Sequence, residues 1–190
     1  MSVIVATPPA PVTDCGVERA SPPAPALLRL AAALDAPSIH ALISACRAEG
    51  HLLPRDPGEI AVHARRFTVA CCGEDIVACA ELAPLSRELA EVRSLVVNAT
   101  ARARGLGARL VDSLARRAVA TGFTTLCAFT HVPSFWVRSG FSIVPHVWLP
   151  EKIVTDCHAC SRFRACGQFA VVRSLGRHTP MPASLPADHG

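Results

Sequence analysis

The sequence contains no tyrosine and a single lysine, Lys152. Its net charge of +4 therefore comes from arginines, which stand singly or in pairs and form no basic run interleaved with aromatic residues. Because nucleic-acid surfaces need such runs, we expect no nucleic-acid partner, and scattered arginines suit small carboxylate or phosphate ligands better. No apolar stretch approaches the ~20 residues that cross a bilayer, so we also expect no membrane association.

Residues 1–26 lack the basic region and apolar core of a secretory signal, and this absence bears on the nine cysteines. A chain of 190 residues with 51% hydrophobic content can bury one sizeable core and does not need disulfides to hold it together. We therefore expect reduced thiols and a cytoplasmic protein.

The two ends of the chain differ in composition from the middle. Residues 1–26 are rich in proline and alanine, and we expect them and the tail, residues 176–190, to be disordered. Residues 27–175 then form one domain. Apolar periodicity predicts strands over residues 27–31, 67–72, 76–82, 89–97, 124–130, 141–144 and 169–174. It predicts helices over residues 35–48, 59–64, 106–119 and 133–140, and Gly122 follows the third helix as its cap. This order predicts an α/β fold with a mixed sheet flanked by helices.

The passage from the strand at residues 89–97 into the next helix is the most informative part of the chain. The helix begins in a short basic turn with two glycines. Its unpaired backbone N–H groups and the helix dipole favour a phosphate, which glycines let the backbone approach closely. An ordinary tight turn is the alternative. The candidate contacts are the end of the strand and the residues of the turn: Leu95, Val96, Val97, Arg102, Ala103, Arg104, Gly105, Leu106, Gly107 and Ala108.

Glu91 and Arg93 are two residues apart in the same predicted strand, so their side chains point to one face of the sheet. Opposite charges on a central strand are costly to bury unless they are paired or used. Glu91 could act as the general base for an attacking amine, directly or through a water, while Arg93 holds a substrate carboxylate. The alternative is an internal ion pair that only orders the strand.

Six blocks of the sequence, at residues 50–55, 90–95, 102–107, 130–136, 138–141 and 149–157, resemble the GNAT acyltransferases. Among these enzymes, the blocks are most similar to the short bacterial amino-acid N-acetyltransferases that make N-acetylglutamate. The resemblance covers residues 26–175 and implies the GNAT fold, with a mixed, mostly antiparallel central sheet flanked by helices.

The same resemblance implies direct transfer of the acetyl group of acetyl-CoA to the α-amino group of L-glutamate, or of glutamine, as the first step of arginine biosynthesis. Arg55, Arg93 and Lys152 lie within the blocks and would bind the carboxylates of that acceptor. Alternatively, Arg55 lies in a surface loop and Lys152 in solvent. A homodimer is the one oligomeric state that we consider for this chain.

The sequence departs from this family at the group that protonates the leaving thiolate. A tyrosine often does so in GNAT enzymes, and His131 stands at a position that resembles a tyrosine of close relatives. The proton must therefore come from solvent or from His131, unless the reaction uses no dedicated acid. Few acidic residues accompany the arginines of the blocks, which argues against polyamine or aminoglycoside acceptors. Another small amine, a peptide N-terminus, or a non-catalytic module that binds CoA or zinc remain alternatives.

Three cysteines near the end of the domain have a spacing that metal sites use. Cys157 and Cys160 form a C-x-x-C pair, and Cys166 follows. A structural zinc ion at these residues is possible, but it needs a fourth ligand from elsewhere in the chain. Free thiols are the favoured interpretation.

Overall fold

The computed structural model describes residues 26–47, 54–160 and 162–176. The strands in these ranges are β1 (Leu27–Leu30), β2 (Phe67–Cys72), β3 (Asp75–Pro84), β4 (Leu89–Val97), β5 (Thr125–Thr130), β6 (Ser142–Val144) and β7 (Phe169–Ser174). The helices are α1 (Ala36–Arg47), α2 (Pro57–Val62), α3 (Leu106–Ala120), α4 (Pro133–Arg138) and α5 (Pro150–Lys152), which continues as a π-helical turn, Ile153–Cys157. None of the helices in these ranges has the length and hydrophobicity needed to cross a bilayer.

The strands form one sheet in the order β1-β2-β3-β4-β5-β7-β6. Within the described ranges, neighbouring strands are antiparallel except for β4 and β5, which run parallel. A parallel pair needs a crossover connection, and α3 provides it between β4 and β5. The prediction of a mixed, mostly antiparallel sheet flanked by helices is confirmed.

Helices cover both faces of the sheet. On one face lies α3, whose apolar residues at helical spacing are buried: Leu106, Leu110, Val111, Leu114, Ala115 and Ala118. On the other face lie α1 and α2, and their side chains Ile39, Ile43 and Ile60 are buried with Phe67 of β2. The central strands are therefore enclosed between two layers, and charged groups on them have to find partners.

The bounds of β2, β4 and β7 are those that the sequence predicts. The helix predicted over residues 59–64 begins earlier, at Pro57, because the Asp56 side chain accepts a hydrogen bond from the Glu59 N–H at 3.0 Å and caps it. Ala26, predicted to be disordered, is buried, and its carbonyl oxygen accepts a hydrogen bond from Arg109 Nη2 at 2.9 Å. The predicted disorder of residues 1–25 and 177–190 concerns residues outside the described ranges. Nothing in the apolar periodicity predicted α5 and its π-helical turn.

Strands β4 and β5 separate in the middle of the sheet. Their pairing joins only residues 89–91 of β4 to residues 125–127 of β5, although β4 continues to Val97. On the opposite edge of β4, the register against β3 shifts next to Glu81, and Ser94 has a φ of 49°, in the left-handed region. Such irregularities bend a strand and are common beside functional sites. Beyond its third pair, β4 therefore presents one backbone edge to the space between the diverging strands.

Candidate active site

The turn between β4 and α3 brings backbone N–H groups together. Ala103 and Gly105 have positive φ angles of 62° and 70°, so the chain turns sharply just before α3. The Arg109 N–H donates to the Gly105 carbonyl oxygen at 3.0 Å as the first bond of the helix. The N–H groups of residues 106–108 therefore precede the hydrogen-bonded ladder of α3. With the helix dipole behind them, these groups suit an anion, as the sequence predicts.

The two glycines of the turn are needed for different reasons. A Cβ at Gly105 would meet no atom within 4 Å, but the backbone there is left-handed, which an L-residue adopts only at a cost. Gly107 has no such backbone requirement, yet a Cβ at this position would lie 3.3 Å from the ring of Phe135 in α4 and 3.9 Å from Val97. Gly107 therefore lets α3 approach α4 closely, which is a packing role that the sequence did not reveal.

The two arginines of the turn also differ. Arg102 Nε donates to the carbonyl oxygen of Val97, the last residue of β4, at 3.1 Å. This bond closes the turn onto the strand, so part of the function of Arg102 is structural. Arg104 is exposed beside the same N–H groups and adds positive charge at the rim.

Three of the predicted site residues meet on one face of β4. Glu91, which is buried, accepts hydrogen bonds at Oε2 from Arg93 Nε at 2.5 Å and from Lys152 Nζ at 2.8 Å. Asp156 Oδ2 accepts from Lys152 Nζ at 2.8 Å and from Arg93 Nη2. The two cations and two carboxylates thus form a closed ring, which we call the charge ring. Lys152 is not a solvated surface residue, because its side chain is 13% exposed.

The remaining predicted carboxylate ligand, Arg55, lies in the loop just before α2, in a second group of charges. Its guanidinium donates to Glu81 Oε2 at 2.8 Å, to Ser94 Oγ at 3.0 Å and to Glu59 Oε1 at 2.9 Å. Glu81 is buried in β3, directly opposite Arg93 in the strand register, so this group adjoins the charge ring. Arg55 is thus a loop residue, but its side chain is only 12% exposed and is not a free surface group.

The combined site is rich in acids, which corrects one inference from the sequence. Arg55, Arg93 and Lys152 contact four carboxylates, those of Glu59, Glu81, Glu91 and Asp156. Glu91 and Asp156 lie inside the sequence blocks, whereas Glu59 and Glu81 lie outside them and reach the site only through the fold. A shortage of acidic residues therefore cannot be used to exclude a cationic acceptor.

The two arginines of the site, Arg93 and Arg55, stay charged. Burial lowers the pKa of Arg93, but the charge and hydrogen bond of Glu91, together with the charges of Asp156 and Glu81, outweigh it and raise that pKa overall. The pKa of Arg55 is raised in the same way, since Glu81 and Glu59 outweigh its desolvation. Both guanidinium groups can therefore bind anions at any physiological pH.

Three acids of the site, Glu59, Glu81 and Asp156, were not predicted as site residues. Glu81 had a signal, because an acidic residue within an apolar strand is costly to bury unless a cation pairs with it. Asp156 had none, since it contacts Arg93 across 63 positions of the chain. Only the folding of the π-helical turn after α5 against Arg93 brings it there.

Comparison with known proteins identifies the family. A family model described as the acetyltransferase (GNAT) family matches residues 36–141. An uncharacterized N-acetyltransferase of Chlorobaculum tepidum is 30% identical over 154 residues, which cover 81% of this chain and 99% of that protein. The chain belongs to the GNAT acetyltransferase family.

Solved structures share the fold of this GNAT acetyltransferase. N-acetylglutamate synthase from Neisseria gonorrhoeae, complexed with coenzyme A and N-acetyl-glutamate, is 26% identical with a TM-score of 0.72, over 80% of this chain and 35% of that one. The acetyltransferase therefore spans about a third of the length of that synthase. Rv2747 from Mycobacterium tuberculosis, in a complex that contains CoA, is 21% identical with a TM-score of 0.68, over 78% of this chain and 98% of that one. The second likeness shows the fold alone.

The cysteines near the end of the acetyltransferase do not form a recognisable metal site. In the part of the chain that the structure describes, no three histidine, cysteine, aspartate or glutamate side chains are placed to hold one ion. The Cys160 N–H donates to the Cys157 carbonyl oxygen at 3.0 Å in a turn, and burial raises the pKa of the Cys157 thiol. Cys166 is exposed. This geometry gives no support to a zinc ion at these three residues.

Proposed function

We propose that the protein transfers the acetyl group of acetyl-CoA to the α-amino group of an amino acid, with L-glutamate as the first candidate and glutamine as the second. The observation that supports this function most directly is the charge ring beside the diverging ends of β4 and β5. It combines a buried carboxylate with two cations that can bind a carboxylate, as an amino acid requires. In arginine biosynthesis, this reaction would be the first step.

The donor fits along β4. The N–H groups at the start of α3 would hold the pyrophosphate, with Arg102 and Arg104 adding charge. Strand β4 rises about 3.3 Å per residue, so the charge ring lies roughly 20 Å from this turn. An extended thioester arm can cover that span along residues 95–97, whose backbone edge faces the space that β5 leaves. N–H groups of this edge would also stabilise the oxyanion that develops on the thioester.

Glu91 would start the reaction by taking a proton from the acceptor ammonium, directly or through a water. Both cations bind the same oxygen of Glu91, Oε2, so they do not engage its second oxygen. The freed amine attacks the thioester carbonyl carbon, the C–N bond forms and the C–S bond breaks, and the nitrogen releases its second proton to solvent. The leaving thiolate takes a proton from solvent or from His131, since the chain has no tyrosine. Arg93, Lys152 and Arg55 would hold the acceptor carboxylates.

A cationic amine is the alternative to an amino acid as acceptor, because four carboxylates line the site. These two classes of acceptor are separated by measuring CoA release with each of the twenty amino acids and with polyamines, and by confirming each acetylated product by mass spectrometry. Product analysis matters because hydrolysis of the thioester also releases CoA. We expect L-glutamate to have the highest kcat/KM. Acetylation of polyamines without acetylation of any amino acid would overturn the amino-acid assignment.

A further inference from the structure

Asp156 holds the outer position of the charge ring. It lies in the π-helical turn after α5, and its side chain is 36% exposed, whereas that of Glu91 is 4% exposed. Both residues accept hydrogen bonds from Arg93 and Lys152. Each cation therefore binds two carboxylates: that of Glu91, which is buried on β4, and that of Asp156, which lies on the solvent side.

The carboxylate of Asp156 has the same chemistry and the same two cationic partners as the carboxylate of an amino acid would have in this site. A third carboxylate on the same two cations would face repulsion from both existing ones. We infer that Asp156 competes with the acceptor's carboxylate for Arg93 and Lys152, so that an acceptor binds by displacing Asp156. This inference rests on the proposed function and names Asp156 as a residue that sets acceptor affinity.

The cations can stay in place while Asp156 leaves. Glu91 binds Arg93 Nε at 2.5 Å and Lys152 Nζ at 2.8 Å, independently of Asp156. The Lys152 ammonium also lies 5.3 Å from the centre of the Phe129 ring, within the range of a cation–π contact. A carboxylate that replaces Asp156 would therefore meet two cations that are already positioned.

The segment that carries Asp156 is suited to movement. Its turn is closed by a bond from the His158 N–H to the Ile153 carbonyl oxygen at 3.0 Å, which is the i→i+5 pattern of a π-helix. Such turns are rare and often mark functional sites. The side chains of Val154 and Thr155 are exposed, so a shift of this turn does not disturb the core.

The test compares the wild type with Asp156→Asn and Asp156→Ala, with Glu151→Gln as the matched control. Glu151 carries a charge on the same helix, but its side chain is not part of the charge ring. Initial rates are measured with L-glutamate and acetyl-CoA varied in turn. We expect both Asp156 variants to lower the KM for L-glutamate by about two- to fivefold, as the loss of a competing, partly exposed ion pair predicts. The KM for acetyl-CoA should not change in the Asp156 variants, and the Glu151→Gln control should keep the wild-type KM for both substrates.

Binding of glutarate, a dicarboxylate without an amine, provides a readout that does not depend on turnover. Calorimetry should show tighter glutarate binding to both Asp156 variants than to the wild type, and thermal melting checks that they fold. A KM for L-glutamate or a Kd for glutarate that is unchanged or higher in the folded variants would overturn the inference, because Asp156 would then only position the cations. Failure of the proposed function looks different: the wild type would acetylate no amino acid, while the glutarate comparison would still decide the role of Asp156.

Discussion

Replacing Glu91 by glutamine tests the central chemical role in the site. The substitution keeps the shape of the side chain but removes the negative charge and the capacity to take a proton. Since Glu91 is buried and binds Arg93 and Lys152 through one oxygen, both stability and catalysis should respond. The two responses can be measured separately and have different expected sizes.

The expected loss of stability follows from the charge ring. Removing one partner of a buried ion pair costs about 3–5 kcal/mol when the other charge is left uncompensated. Here Asp156 continues to bind both cations, and the Arg93 side chain is 24% exposed, so the loss should be smaller. We expect about 2–3 kcal/mol, which corresponds to a fall in Tm of about 5–10 °C for a domain of this size.

The expected loss of activity is larger. A general base contributes about 10²- to 10⁴-fold to the rate, and kcat should fall by a factor in this range. The KM for acetyl-CoA should stay close to that of the wild type, because the turn before α3 does not contact Glu91. Stopped assays of product formation, below the Tm of the variant, measure both quantities.

Glu81→Gln is the matched control, since Glu81 is similarly buried on the neighbouring strand and also pairs with an arginine. It should cost comparable stability and much less activity. A kcat for Glu91→Gln within about threefold of the wild type would refute the assignment of the base. Equal losses of kcat in the two variants would show that the rate depends on the charge of the site as a whole.

Three further substitutions and one chemical treatment follow from the same geometry. Arg93→Ala should raise the KM for L-glutamate about 10- to 100-fold, because charged hydrogen bonds to a carboxylate are lost. Steady-state kinetics should show the KM for acetyl-CoA nearly unchanged. Gly105→Ala should cost about 1–2 kcal/mol in urea unfolding because of its left-handed backbone, and Gly107→Ala less, since alanine favours the helix and the neighbouring ring can shift. In the folded protein, Cys79 and Cys127 should resist thiol reagents at about pH 8. Burial raises the pKa of Cys79 to about 12 and raises the pKa of Cys127 still further above its usual range, so neither thiol forms the reactive thiolate. Mass spectrometry counts the labelled thiols.

Each of these expectations has a contrary outcome. Equal increases in both KM values would remove Arg93 from the acceptor site. A greater loss of stability for Gly107→Ala than for Gly105→Ala would show that contact with Phe135 limits the turn more than backbone conformation does. Labelling of either buried thiol as fast as the exposed Cys166 would contradict the enclosed positions of the two strands.

Local patterns were sufficient for much of the fold. Strands β2, β4 and β7 and the apolar stripe of α3 were predicted because side-chain periodicity follows directly from burial on one face or between two layers. The basic, glycine-containing turn before α3 was also recognisable from local sequence. A strand, a turn and a helix that follow one another directly leave unpaired N–H groups at the start of the helix, and no distant residue is needed for this. The shared face of Glu91 and Arg93 also followed from their spacing of two residues in a strand, and their ion pair was one of the two alternatives that this spacing left open.

The amino-acid sequence by itself thus determined most of the elements, the basic turn before α3 and the face on which Glu91 and Arg93 lie. The tertiary structure alone decided which charges meet there. Lys152 reaches Glu91 across 61 positions and Arg55 reaches Glu81 across 26, and both contacts depend on strand order and on where short, irregular segments cross the sheet. Periodicity reports only whether a residue and its neighbours in sequence are buried. Ion pairs between residues far apart in the chain form only when the folded structure brings the charges together in a buried, low-dielectric environment.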